Sequence, residues 1–337
     1  MESRKSQIIL KYNDKEATET ITEDNESFTW TDCASGEADT ISLTLNNQNL
    51  KWLKGKRFPV SSDYIKASIR VQHWNNQSDN RSVYCGKFMI DDISGSGNII
   101  DINGISIPIN TAFNVTARNK TYKKTSVRAI MEIIAKRAGV KLAFSAKNHS
   151  IDEISQSAQT DMEFAFTLCS DYDMSMKVYN EKLVIYDQTQ YERRKASFTL
   201  DRIKDCIHPD DFDFTRSVSQ LYDGVKLQYT NKDGENITYK YVVPGKKGER
   251  LLVLSESADS HADAERKAKA KLAENLRSAQ TITVELMGDP KYQACEVFEF
   301  SGFGKLDGRY FIDKAVHVKG DGYRTTIQCH KCVTNIE

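Results

Sequence analysis

The chain has 337 residues, with 47 Lys plus Arg against 47 Asp plus Glu, so its formal net charge of +0 sets up no global basic field to gather a nucleic-acid backbone. With 28% charged and 39% hydrophobic residues it is composed as a folded protein of two or three domains, and no stretch approaches the ~20 apolar residues that span a bilayer. The opening, Met1 to Ser6, runs into Gln7–Lys11 without a signal-peptide core, which predicts synthesis and retention in the cytoplasm. Seven scattered cysteines (33, 85, 169, 206, 295, 329 and 332) predict reduced, packed thiols and no disulfide framework.

Strand signals dominate from Ser6 to about Ile109: Gln7–Tyr12, Ser27–Thr31, Thr40–Leu45, Ile65–His73 and Val83–Ile93. In Thr40–Leu45 the alternation of Ile41, Leu43 and Leu45 with Thr40, Ser42 and Thr44 turns one face to a core. A short helical turn is expected between Asn46 and Leu53. Thr125 is then placed to cap a helix carrying Val127, Ile130, Met131, Ile134 and Ala138, which Gly139 stops; the strand Val140–Phe144 follows. Thr160 and Glu163 have capping-box spacing and open a second helix through Leu168, after which Met174–Tyr179 and Leu183–Tyr186 form a hairpin around Asn180-Glu181.

From Ser197 the strand pattern returns in Asp213–Ser217, Val225–Tyr229 and Ile237–Val243, the last two joined by the turn Asn231-Lys-Asp-Gly234. A helix capped by Ser257 or Ser260 runs through Ala279, with Ala264, Ala268, Leu272, Leu276 and Ala279 along one stripe. Its charged face, Asp259, Asp263, Glu265, Lys267, Lys269, Lys271 and Glu274, reads as a solvated surface or a face toward a neighbouring subunit. Strands resume at Gln280–Met287, Glu296–Ser301, Gly308–Val318 and Tyr323–Cys329. The predicted architecture is β-rich α+β, two β-barrel or sandwich domains with an α+β insertion between them. The boundaries are 1–120 for the first β domain, 121–197 for the insertion, and 198–337 for the second β domain with its long helix at 257–279.

An internal repeat supports two β domains. Gly86-Lys-Phe-Met-Ile-Asp-Asp-Ile93 and Gly308-Arg-Tyr-Phe-Ile-Asp-Lys-Ala315 share the order of their side chains 222 positions apart. Each runs into a glycine-containing turn and a further strand. Gly86, Phe88, Ile90 and Asp91, with Gly308, Tyr310, Ile312 and Asp313, define the repeat. Two such domains per chain let a homotrimer present six in a ring, which would match a hexameric tube.

The string Met287-Gly-Asp-Pro290, Cys295-Glu-Val-Phe-Glu-Phe-Ser-Gly-Phe-Gly304, Asp307-Gly-Arg-Tyr-Phe-Ile312, His317 and Gly322-Tyr-Arg-Thr-Thr-Ile327 resembles the phage late control protein D family. The N-terminal strings Phe28-Thr-Trp-Thr-Asp32, Ala38–Leu43 and Cys85–Ile90 carry the same likeness. That family includes the baseplate hubs of contractile tails and is similar to the N-terminal half of the type VI secretion spike protein. The resemblance implies a non-enzymatic trimeric hub with two tail-tube-like β domains per chain, between the tail tube or its initiator and a central spike. It also implies contact with the tape-measure protein, with baseplate wedge proteins as further neighbours. The chain stops at Glu337 after the second β unit, so a spike supplied by a separate protein is expected.

The residues offer three rival chemistries. Cys329-His-Lys-Cys332 with His317 offers soft metal ligands, yet residues three apart in a strand face opposite ways and no second Cys-x-x-Cys completes a zinc set. Asp91, Asp92, Asp210, Asp211 and Asp213 are available carboxylates for a tail-associated wall hydrolase but carry no accompanying motif, and His208-Pro-Asp-Asp211 reads as a turn. Trp30, Trp52 and Trp74 serve either as core anchors or as stacking platforms of a carbohydrate- or wall-binding module. No cofactor, metal or catalytic residue is predicted.

Overall fold

The computed structural model describes residues 2–54, 58–60, 63–107, 112–230, 234–255, 257–258 and 260–336. Ile109, most of the predicted turn Asn231–Gly234, Asp259 of the charged helix face, and the two terminal residues lie outside them. The first part of the chain contains β1 (Lys5–Tyr12), β2 (Lys15–Glu16), α1 (Thr18–Thr22), β3 (Asn25–Cys33), β4 (Thr40–Asn46), β5 (Tyr64–Gln72), β6 (Arg81–Ser96) and β7 (Ile99–Ile105). The middle contains β8 (Arg118–Ser126), α2 (Val127–Ala138), β9 (Lys141–Phe144), β10 (Ser150–Gln159), α3 (Asp161–Ser170), β11 (Met174–Tyr179), β12 (Lys182–Asp187) and α4 (Gln188–Glu192). The last part contains β13 (Phe198–Asp201), β14 (Phe212–Arg216), β15 (Gly224–Thr230), β16 (Asn236–Val242), β17 (Leu251–Ser255) and α5 (His261–Ala279). It closes with β18 (Gln280–Met287), β19 (Val297–Ser301), β20 (Gly308–Lys319) and β21 (Tyr323–Lys331).

The protein is β-rich α+β, as its alternating apolar runs dictate. One large sheet has the order β14-β18-β21-β20-β3-β4-β7-β6-β5-β1-β2, with β19 and β13 branching from β20. This order is open; among the described residues no barrel closes. In β4 the residues Ile41, Leu43 and Leu45 are buried on alternate positions, as are Ile282, Val284 and Leu286 in β18, so each strand supplies one apolar face. Full burial of each such side chain contributes roughly 1.5–3 kcal/mol.

Four larger cores follow from this. Phe28, Trp30, Leu43 and Phe88 belong to the first, and Phe298, Phe300, Tyr310 and Ile312 to another at the far end of the large sheet. A third lies under α2 and α3, where Val127, Ile130, Met131 and Ile134 meet Met176, Leu183 and Ile185 of β11 and β12. The fourth is separate from the large sheet: α5 lays Ala264, Ala268 and Leu272 on Val225 and Leu227 of the three-stranded sheet β16-β15-β17. The long helix therefore covers a small sheet of its own, a unit placed between β14 and β18.

Local signals act largely as expected, with two shifts. Gly139 ends α2 in the left-handed conformation, and the Thr160–Glu163 capping box opens α3. The cap of α2 is Ser126, not Thr125: the β8–β10 ladder runs through Thr125 opposite Ile151 to Ser126 opposite Ser150, and this last strand residue accepts from the Ala129 N–H. Ser260 caps α5 by accepting from Asp263 N–H. The turn at Asn46–Leu53 is a 3-10 segment, Gln48–Leu53, in which Asn49 and Leu50 both take positive φ.

Candidate functional site: the bulged strands and the seam between the β units

The repeated sequence falls on β6 and β20, and the likeness extends to the backbone. Gly86 has φ +137° and Gly308 φ +135°, a conformation that L side chains rarely adopt. Phe88 and Tyr310 are fully buried in their respective cores, and Ile90 and Ile312 lie beside them. At the Asp, each strand makes a β-bulge. The β6–β7 ladder shifts between Ile90 and Asp92, and the β20–β21 ladder shifts between Ile312 and Lys314. The extra residue is Asp91 in one strand and Asp313 in the other; such a residue kinks its strand and changes which neighbour it pairs with. Asp91 is exposed, whereas Asp313 is half-buried and accepts from His330 Nδ1 at 2.8 Å.

The ladders carry this equivalence across five strands. β3-β4-β7-β6-β5 matches β14-β18-β21-β20-β19 in order and direction, with Thr40 opposite Ile105 as Thr281 is opposite His330. In this register Thr40-Ile-Ser-Leu-Thr-Leu45 lies on Thr281-Ile-Thr-Val-Glu-Leu286, and Phe28-Thr-Trp-Thr31 on Phe212-Asp-Phe-Thr215. The match ends at the next strand: β1 runs antiparallel to β5, whereas β13 runs parallel to β19.

Beyond its bulge β20 pairs with β3, from Lys314 opposite Cys33 to Lys319 opposite Phe28, and this seam fuses the two five-strand blocks into one sheet. Trp30 stacks on the facing His317, ring centroids 4.8 Å apart and planes 17° from parallel. His317 is buried; its Nε2 donates to the Tyr292 carbonyl at 2.8 Å, and Nδ1 accepts from the Tyr323 hydroxyl at 2.8 Å. Burial lowers its pKa to about 4, so the ring at the seam is neutral near pH 7.

Two buried charge clusters tie the surrounding parts to this seam. Lys177 of β11 lies between Asp32 of β3, with which it is hydrogen-bonded, and Asp39, 3.1 Å away. Burial pushes the Asp39 carboxyl up to about 7 against the pull of Lys177, while the two carboxylates hold Lys177 protonated despite its own burial. On the other side Arg277 of α5 reaches Glu192 at 2.5 Å and Asp173 at 2.6 Å. Glu192 also meets His330 Nε2 at 3.2 Å and accepts from the Val333 N–H. Burial would raise Glu192, but the His330 contact and the Arg277 charge outweigh it and hold the group at about 2. Burial would lower His330, but Asp313 and Glu192 outweigh it and raise the group to about 9.

These opposed shifts set a pH dependence. A histidine raised from its ordinary ~6.5 contributes stability that is complete below that pH and is lost as pH rises through about 9. Melting temperature is expected to fall between pH 6.5 and 9. A His330→Gln variant should be less stable than the parent at pH 6 and should lose less over the same interval; parallel curves in scanning calorimetry would contradict this.

Neither cluster is evident in the sequence, since their members come from distant segments. The one signal was Lys177 itself, a lysine among the apolar residues of Met174–Val178. The repeat-defining residues converge on no pocket; they lie in two cores and at two bulges. Asp91 and Asp92 lie on β6, and Asp210, Asp211 and Asp213 at the entry to β14, where the Asp211 carboxylate accepts from the His208 N–H. Cys329 is buried in β21 and Cys332 lies past its end; among the described residues no group of three His, Cys, Asp or Glu side chains is placed to hold a metal ion. Trp30, Trp52 and Trp74 are all buried, so none presents an open stacking face. Among the described residues no helix is long and apolar enough to cross a membrane.

The architecture is thus a duplicated, bulged five-strand block with an α+β unit between the copies. No family model matches the chain, and no curated protein matches it. Among solved structures it is similar to the tail protein from Neisseria meningitidis MC58, with a TM-score of 0.72 at 13% identity over 98% of this chain and 99% of that one. It is also similar to the 43 kDa tail protein of prophage MuSo2 from Shewanella oneidensis, with a TM-score of 0.67 at 13% identity over 97% and 98% of the two chains. A third neighbour is the E. coli c3393 protein, described as a component of the type VI secretion system that resembles the T4 tail proteins gp27 and gp5. Its TM-score is 0.58 at 11% identity, over 93% of this chain and 74% of that one. The chain has the fold of these tail proteins.

Proposed function

We propose that this protein is a structural baseplate hub subunit of a contractile phage tail or tail-like injection particle. Three copies form a ring whose six similar β units template a hexameric tube on one side and meet a trimeric central spike on the other. The observation that carries this reading is the duplication: two five-strand blocks, alike in order and bulge, joined edge to edge in one rigid sheet. Two units per chain and three chains give six, so a three-fold object can match a six-fold one without six identical subunits. The role is geometric and needs no catalysis; the conserved geometry of the two copies lies in backbone bulges and packed cores, not in converging titratable groups. The tape-measure protein would pass through the ring, wedge proteins would surround it, and assembly would take place in the host cytoplasm before incorporation in the particle.

The solution mass tests this. The chain weighs 38.3 kDa. Light scattering of the protein co-expressed with its neighbouring tail genes is expected to give a species containing three copies. A single copy under every condition would contradict the hub reading.

A further inference from the structure

Inside the chain, the seam joins two edges: β20 beyond its bulge, and the outer edge of β3. The equivalents of both recur, each with a free side among the described residues. Beyond Asp91, β6 pairs only with β7, and β14 pairs only with β18. Asp92, Ser94, Gly95, Ser96 and Gly97 are exposed, and Phe214 is 58% exposed where its counterpart Trp30 is 1% exposed. We infer that β6 from Asp92 to Ser96 takes β14 of a second copy of this chain, antiparallel, repeating the internal seam between subunits.

This inference rests on the ring reading and gives it a register. Carrying the seam across the equivalence places Asp92 opposite Ser217, Ser94 opposite Thr215, Gly95 opposite Phe214 and Ser96 opposite Asp213. The chemistry at these positions fits. Trp30 covers His317 in the internal seam; in the same place Phe214 would lie at Gly95, which brings no side chain to compete with the aromatic ring. The exposed acidic pair Asp91–Asp92 comes to the Arg216 end of the incoming strand. The contact is heterologous, edge to a different edge, and three repetitions alternating with three internal seams close a ring of six blocks. It also covers two strand edges that would otherwise template aggregation.

Paired cysteines test the register. In a Cys206→Ser background, Ser94→Cys combined with Thr215→Cys is expected to give covalent trimers on mild oxidation or with a short bismaleimide. The displaced pair Ser94→Cys with Asp213→Cys should give little. Phe214→Asp, at a site exposed in the single chain, is expected to convert trimer to monomer with an unchanged circular dichroism spectrum. A trimer by light scattering in which the first pair fails to link, or in which both pairs link equally, overturns this pairing and leaves the hub reading standing. A chain that stays monomeric overturns both.

Discussion

Replacing Arg277 by Met is expected to destabilise the protein by about 3–5 kcal/mol, the effect of removing one partner from a buried ion cluster. The reason lies in what remains. Glu192 is fully buried, and without Arg277 its charge keeps His330, the Gln188 amide and the Val333 N–H, while Asp173 loses the guanidinium and keeps the Thr189 hydroxyl. The loss is a large share of the ~5–15 kcal/mol that holds a typical domain together. A double variant, Arg277→Met with Glu192→Gln, should recover part of it, because the second change removes the uncompensated charge. Urea titration of both variants checks this, and a single variant within about 1 kcal/mol of the parent would show that water reaches the cluster.

Trp30→Ala is the second large effect, about 3–5 kcal/mol for emptying a buried tryptophan site. The position matters more than the size of the side chain. Trp30 lies on β3 at the seam, stacked on His317 of β20, so its loss opens a void between the two five-strand blocks. Unfolding of the variant is expected to separate into two steps as the blocks lose their coupling. A single cooperative transition shifted by less than about 1 kcal/mol would mean that backbone pairing alone holds the seam.

The sequence made one strand of the duplication legible and concealed the others for a definable reason. Gly86–Ile93 and Gly308–Ala315 stand out because glycine, aromatic, isoleucine and aspartate each answer to a fixed backbone demand: a positive φ, a core position and a bulge. Thr40–Leu45 and Thr281–Leu286 are as similar, yet they lie 241 positions apart rather than 222, and Phe28–Thr31 and Phe212–Thr215 lie 184 apart. The offset rises from 184 to 241 because the unit of β15, β16, β17 and α5 is inserted between β14 and β18 of the second copy only, and it falls to 222 because the chain from Leu45 to Gly86 is longer than that from Leu286 to Gly308. A comparison at constant spacing therefore sees one strand at a time. The same insertion explains why α5 read as part of the second β domain: its apolar stripe predicts a partner but cannot say which sheet provides it.

The hairpin of β8 and β10 escaped for a different reason. Arg118–Ser126 is almost wholly polar, with Tyr122 its one buried position, so no alternation marks it as a strand; that strand carries extended backbone past Thr125 to Ser126, which becomes the helix cap. The charge clusters were illegible because burial, not composition, gives Lys177, Arg277 and Glu192 their roles.

Electron microscopy of the assembled protein, viewed down its axis, tests the central claim most directly. The account predicts a ring of three chains with six similar lobes around an open channel, alternate lobes differing only in their outer decoration. A ring with any other number of lobes, or particles of single-chain size in a preparation that also contains its tail partners, would contradict it.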